Sequence, residues 1–389
     1  MRKVLFIANA IVGEMPGLTG GEVRFIEIAK NWQKHGYRIH LLSSRGGRIL
    51  CEKLGLKVIL HSISNSKEVN RLTFITRFFE AFFLPKTLEH FDEGIVYSSS
   101  EQIYDVIPGV ILKLKSLRKI KLAVAVHWLP PVKWWERKQS TFLNSLLFLI
   151  SERTGLFLGC LFANRLLPVS EATKNQMRKS LFGRLFLKKV TAVECGINFQ
   201  EIRKISQKVK VKKYEAVFMK RIQAVKGVFD LIKILDIVVK KIPEAKLIVI
   251  GSGIDEEEAK RMVFEKKLNK NIEFLGVIYD MKEKFNKLAE SRLFLLPSYE
   301  ENWAIVIGEA MTAGLPVLAY DLPELIEVWK DNFIQVPLGN TKIFADKIIE
   351  LLDNPKEIDR MSKKALKFVK KYDWEAIAKK ELEIISSVR

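Results

Sequence analysis

Short apolar runs alternate with amphipathic stretches along the whole chain. In the first half the runs are KVLFIANA (3–10), YRIHLLS (37–43), LKVILH (56–61), GIVYSS (94–99), KLAVAVHW (121–128) and RLLPVS (165–170). Most are brief and rich in β-branched residues, and the segments between them have helical spacing. Strands apolar on both faces, alternating with helices, predict parallel sheets covered on both sides. The pattern restarts after the charged stretch QKVKVKKYEA (207–216). AVFMKR (216–221), AKLIVIGSG (245–253), IEFLG (272–276), RLFLLPS (292–298) and LPVLAY (315–320) form the second set. The expected fold class is therefore α/β, with two Rossmann-like doubly wound domains facing across a cleft. The first covers residues 1–206 and the second 207–373, with a hinge near 205–213.

Composition leaves this picture intact. The chain has 389 residues, 48% hydrophobic and 28% charged, enough to bury sizeable cores without a disulfide or metal staple. Cys51, Cys160 and Cys195 are widely spaced and form no CxxC pair, so neither a disulfide framework nor a zinc site is indicated and a reducing cytoplasm fits. The opening MRKVLFIANAIVG has the outline of a short signal peptide. Glu14 and Pro16 stand where small cleavage-site residues belong, so a first buried strand is the reading taken. No uncharged stretch is long enough to span a membrane; the closest, residues 141–167, is split by Glu152 and Arg153.

Charge changes the picture more. The net charge is +20. Residues 1–210 carry 34 Lys and Arg against 16 Asp and Glu (+18), and residues 211–389 carry 31 against 29 (+2). So one-sided an excess points the first half towards something anionic: nucleic acid, an acidic membrane surface or a phosphorylated acceptor.

Open parallel sheets bind ligands at the carboxyl ends of their strands, and the candidate chemistry lies there. After the first run, Gly13, Gly17, Gly20 and Gly21 lead into a helix, where backbone can approach an anion. Their spacing is neither GxGxxG nor a Walker A. His127 ends a strand, and Ser170 stands where a helix N-cap belongs. In FMKRIQAVKGVFDLI, Arg221 and Lys226 occupy a strand-to-helix loop, where two cations suit a diphosphate. Gly251 and Gly253 end another strand, leaving room for a flat ring or a backbone contact. In PSYEENWAIVIGEAMTAGLPV (297–317), Glu301 precedes a helix and Glu309 lies inside it. Both can approach one ligand at a helix start, whose free N–H groups suit hydroxyls or phosphates.

This ordered set resembles the family 4 glycosyltransferases, whose two-Rossmann-domain architecture is called GT-B. The resemblance runs over nearly the whole chain. It rests on Gly20-Gly21, His127, Pro168-Val169-Ser170, Arg221 with Lys226-Gly227, Gly251-Ser252-Gly253, the FLG at 274–276 and the E-x7-E of Glu301 and Glu309 followed by EAMTAGLPV. It implies a retaining hexosyltransferase that uses a nucleotide-sugar donor as co-substrate, with no cofactor. By the same resemblance Glu309 binds the ribose hydroxyls and Glu301 the donor sugar. Main-chain amides over Asn302, Trp303, Ala304 and Ile305 hold sugar or diphosphate. Arg221 and Lys226 bind the diphosphate as leaving group, taking the part a metal plays elsewhere. His127 lies near the sugar from the other domain, and Gly20, Gly21 and Gly251 let ligand or backbone come close. The tail about 374–389 resembles the helices that return to the first domain.

Four positions depart from the family pattern: Lys220 for a glycine before the arginine, Cys195-Gly196-Ile197-Asn198, Ala304 for a glycine, and YDLPELIEV past the PV. They bear on donor identity. In GT-B the basic first half is the acceptor side. Residues 71–91, 127–138 and 141–163 mix aromatics and leucines with cations as interfacial helices do. The expected partner is an anionic or lipid-linked glycan acceptor at an anionic membrane surface, with the enzyme peripheral on the cytoplasmic face. A sugar-nucleotide epimerase of the same architecture is the alternative. Nucleic acid is disfavoured, since no recognition motif is present.

Overall fold

The structure is a computed structural model. It describes residues 2–9, 19–63, 76, 79–116, 119–127, 129, 142–179 and 184–387, and of 142–145 the backbone alone. Gly13 and Gly17 of the glycine-rich segment, residues 71–75, and most of 127–138 lie outside the described residues.

The chain forms two compact units, residues 1–195 with 374–389, and residues 196–373. The first holds six parallel strands, Lys3–Ile7 (β1), Arg38–Ser43 (β2), Ile59–Ser62 (β3), Gly94–Ser98 (β4), Ile120–Val126 (β5) and Arg165–Pro168 (β6), in the order β3-β2-β1-β4-β5-β6. The second holds Tyr214–Met219 (β7), Leu247–Ile250 (β8), Ile272–Gly276 (β9), Ser291–Leu296 (β10), Val317–Tyr320 (β11) and Ile334–Val336 (β12), in the order β12-β11-β10-β7-β8-β9. Renumbered from its own first strand, this is the same doubly wound order. In each unit the order reverses beside the first strand, at β1/β4 and at β7/β10, where open α/β sheets form their binding crevice.

The apolar runs seen in the sequence supply these strands. Val4 to Ile7, Leu122 to Val126, Val217 and Phe218, and Leu293 to Leu296 are essentially inaccessible to solvent. Each sheet has its own core cluster, built with side chains from its flanking helices. All three cysteines are free and buried.

The unit boundary falls at Cys195/Gly196 rather than at 206/207. The reason is packing. The side chain of Ile197 lies against Gly308 and Trp329, its N–H donates to the Tyr372 carbonyl, and the helix Phe199–Ser206 packs within the second unit. The C-terminal helix Trp374–Ser386 belongs to the first unit. Glu381 on it forms a fully buried ion pair with Arg24 at 2.7 Å, and Ala378 accepts a hydrogen bond from the Trp32 indole.

Candidate functional site

The second unit assembles its site at the β7/β10 reversal, and a glycine explains how. Gly227 has φ +80, and a Cβ there would stand 1.7 Å from the Pro297 carbonyl oxygen. Only glycine lets the turn after β7 lie this close to the end of β10. Tyr299 N–H then donates to Val225 O at 2.9 Å. The Tyr299 and Tyr320 hydroxyls both reach one oxygen of Asp230, a buried carboxylate on the helix Val228–Val239 that follows. The two strand ends are thereby tied together, and their charged side chains meet.

Those side chains are Lys220, Lys226 and Glu301. Lys226 Nζ lies 3.1 Å from Glu301 Oε1 and also donates to the Glu300 carbonyl. Lys220 Nζ lies 2.9 Å from Glu301 Oε2. The Glu301 side chain is 4% exposed. Burial alone would raise its pKa, but the two ammonium groups outweigh it and pull the carboxyl down to about 2. Lys226 is lowered too, below the usual lysine range, first by burial and then by Lys220 and Arg221, with Glu301 opposing. Arg221 is exposed beside them.

Glu309 is the fifth residue of the helix Ile305–Ala313, and its Oε1 pairs with Lys284 at 3.0 Å. The residue capping that helix start, Ala304, is in the left-handed region at φ 51. A glycine would sit there without strain. The Trp303 side chain is core, edge-on to Trp329 at 4.6 Å and to Tyr372 at 5.1 Å. Whatever Trp303 offers a ligand comes from its main chain. Asn302 is half-buried, and Ile305 opens the helix and is buried. Gly251, at φ +138, and Gly253 are needed by the chain itself. A Cβ on them would meet the carbonyl oxygens of Lys220 at 2.0 Å and Ile222 at 2.1 Å. Both glycines therefore let main chain approach main chain at this strand end.

The first unit brings His127 and the glycines together. Gly20 and Gly21 form the first turn of the helix Gly20–Lys34, behind a Thr19–Glu22 capping box, and a Cβ on Gly21 would stand 3.3 Å from His127 Nε2. His127 Nε2 lies 2.7 Å from the Ser99 carbonyl, and its main-chain N–H donates to Glu101 Oε2 at 2.9 Å. Burial, with Arg24 nearby, lowers the imidazole to about 4, so the ring is neutral at pH 7. Burial raises the Glu101 carboxyl to about 7 against the His127 N–H, with Glu152 and Asp105 adding to it. Burial also lifts Glu152 to about 7. Ser170 Oγ accepts from Thr173 N–H, the capping role the sequence favoured.

Sequence reasoning missed three participants. Lys220 was visible only as a departure from a family pattern, yet it is the shorter of the two ion pairs on Glu301. Lys284 carries no local signal in the sequence. Asp230 had a faint signal, four residues after Lys226.

The sequence model of the family described as Glycosyl transferases group 1 matches residues 198–368, nearly the whole second unit. The second unit is a glycosyl transferases group 1 domain. Lys220, Arg221, Lys226, Glu301 and Glu309 all belong to the group 1 domain. Poly(glycerol-phosphate) alpha-glucosyltransferase of Bacillus subtilis is 29% identical over 164 residues, 41% of this chain and 24% of that protein. Phosphatidyl-myo-inositol mannosyltransferase of Mycobacterium leprae is 30% identical over 166 residues, 42% of this chain and 43% of that protein. The matched stretch thus spans less than half the length of either relative. Beyond the group 1 domain, the solved structure of Anabaena HepE with UDP and glucose matches 100% of both chains at a TM-score of 0.73 and 18% identity, which shows the GT-B fold for the whole chain.

Proposed function

We propose that the chain is a glycosyltransferase that moves a sugar from a nucleotide-sugar donor to a glycan or lipid-linked acceptor. The observation carrying this is the Glu301 carboxylate fixed between Lys220 and Lys226 at the β7/β10 reversal, with Arg221 beside it and Glu309 on the next helix. Breaking a glycosyl–phosphate bond builds negative charge on the diphosphate and positive charge on the sugar. Arg221 and Lys226 stabilise the first without a metal, each preorganised donor contributing about 3 kcal/mol. Glu301 takes sugar hydroxyls and Glu309 the ribose. Retention of anomeric configuration is part of the proposal, as is His127 bordering the donor sugar. The names of the relatives support a phosphate-bearing acceptor, and the HepE structure with UDP and glucose supports a nucleotide-sugar donor.

The acceptor side is proposed to be the first unit, with the enzyme peripheral on the cytoplasmic face of an anionic membrane. That unit carries 33 Lys and Arg against 18 Asp and Glu, +15 of the chain's +20. Phe79, Phe82 and Phe83 are exposed on it next to Lys86, and the helix Phe142–Phe162 exposes Leu147 and Ile150. Among the described residues no helix is long and apolar enough to cross a membrane.

The test is a thermal-shift panel of UDP-, GDP-, ADP- and dTDP-sugars with and without EDTA. A base-selective rise in Tm, unchanged by EDTA and lost in Glu309→Ala, is expected. A rise that needs a divalent metal would sink metal independence, and no rise with any donor would sink the donor site.

A further inference from the structure

Lys220 adds a charge the donor reaction does not by itself require. Lys220, Arg221 and Lys226 supply three positive charges around the single negative charge of Glu301. Arg221 and Lys226, with the start of the helix Ile305–Ala313, already meet the two charges of a diphosphate. Lys220 instead faces the other side of the Glu301 carboxylate, 2.9 Å from Oε2. Both carboxylate oxygens are therefore engaged by ammonium groups before any sugar arrives. A neutral hexose would have to compete with Lys220 for Oε2.

We propose, building on the donor-site reading above, that Lys220 selects a donor whose sugar is itself anionic, such as a hexuronic acid. An ammonium has three donors. Among the described residues Glu301 is the one hydrogen-bond partner of Lys220 Nζ, which leaves two donors for a ligand. Its side chain is 18% exposed, so its field is only partly screened yet a ligand can reach it. A sugar hydroxyl accepting from Lys220 makes an ordinary polar hydrogen bond, whereas a sugar carboxylate makes a charge-assisted one, roughly twice as strong. The same arrangement works against neutral sugars, which leave Lys220 on Glu301 and lose that acceptor. Attraction for one donor and obstruction of the other act in one direction. The backbone gives Lys220 a fixed place. Its N–H donates to Ile250 O, and its carbonyl packs against Gly251, so its Nζ starts from a rigid strand end.

The test is calorimetric titration of the full chain with UDP, UDP-glucose and UDP-glucuronic acid, and with GDP, GDP-mannose and GDP-mannuronic acid. For the base that binds, the uronic acid donor should bind about tenfold more tightly than its hexose partner, the gain expected when a neutral acceptor is replaced by a charged one. Lys220→Met should bring that ratio to within about threefold of one, and Lys220→Arg should keep it, since the effect is one of charge. Taking a ratio of donors within each variant cancels any change in nucleotide binding, and circular dichroism checks that each variant is folded. A wild-type chain that binds the hexose donor as tightly as the uronate, while binding the nucleoside diphosphate, overturns the role of Lys220 and leaves the donor site standing. A ratio that survives in folded Lys220→Met overturns it too. If no nucleotide binds, the donor-site reading falls and the inference falls with it.

Discussion

Glu301→Gln isolates the electrostatics of the group 1 site. The wild-type carboxyl drops from the ordinary 4.5 to about 2, because Lys220 and Lys226 outweigh the cost of its burial. At about 1.4 kcal/mol per pH unit this is about 3 kcal/mol of stability for the second unit at pH 7. A carboxyl with a lowered folded-state pKa contributes fully above its unfolded value. The contribution fades as pH falls through the folded value, leaving about 1 kcal/mol at pH 3. Glutamine carries no charge, so the variant lacks this contribution at every pH and leaves buried Lys226 without its counter-charge. The expected loss is about 3 kcal/mol at pH 7, shrinking to about 1 kcal/mol at pH 3. A chain of two units does not unfold in one step. The measurement is therefore urea-dependent hydrogen exchange of β7 and β10 at the two pH values. A loss under about 0.5 kcal/mol at pH 7 would put the pair in the class of screened surface contacts. An equal loss at both pH values would assign the effect to packing. Either result refutes the reasoning.

Gly227→Ala should lower the stability of the second unit by about 3 kcal/mol or more, since its Cβ would overlap the Pro297 carbonyl at a φ of +80; urea unfolding reads it, and nucleotide affinity should fall with it. Ala304→Gly should raise stability by about 1 kcal/mol by relieving the left-handed φ of 51, read by the same unfolding assay. Glu152→Gln should match wild type at pH 4.5 and exceed it by up to about 3 kcal/mol at pH 8, because a carboxyl raised to about 7 loses stability as pH rises from 4.5 through 7. A difference that does not vary with pH would count against that origin.

Topology was legible because it depends on period and polarity. Eleven of the twelve strands lie within or across the apolar runs read from the sequence. The exception, Ile334–Val336, is three residues long and too short to show a period. Strand ends were overextended, as at 121–128 and 245–253, since apolarity continues into the turns that carry ligand residues. Glu301, Glu309, Arg221 and Lys226 were legible because their spacing follows strand ends. Lys220 and Lys284 were not, because an ion pair across about 80 residues, or between two helices, leaves no local pattern. The boundary at 195/196 was misplaced for the same reason. The charged stretch near 207–216 announces a linker, while the side chain of Ile197, which decides the matter, is one ordinary apolar residue.

The two units share one strand order but resolve burial in opposite ways. At the β7/β10 reversal, ammonium groups surround a carboxylate, and charge pairing overcomes desolvation, so Glu301 stays ionised far below neutral pH. At the β1/β4 reversal, Glu101 and Glu152 have too little positive charge near them to offset burial, and they are held near 7, while His127 is driven to about 4. The second unit's site therefore holds fixed charge at pH 7, while the first unit, beside its buried Arg24–Glu381 ion pair, holds groups that are neutral or half-titrated there. Fixed charge suits a diphosphate that must be stabilised as it leaves. Groups near their titration point suit proton transfer to or from a hydroxyl. Environments that push pKa values apart are how one fold can host both kinds of group, and here the split follows which carboxylates have ammonium groups beside them.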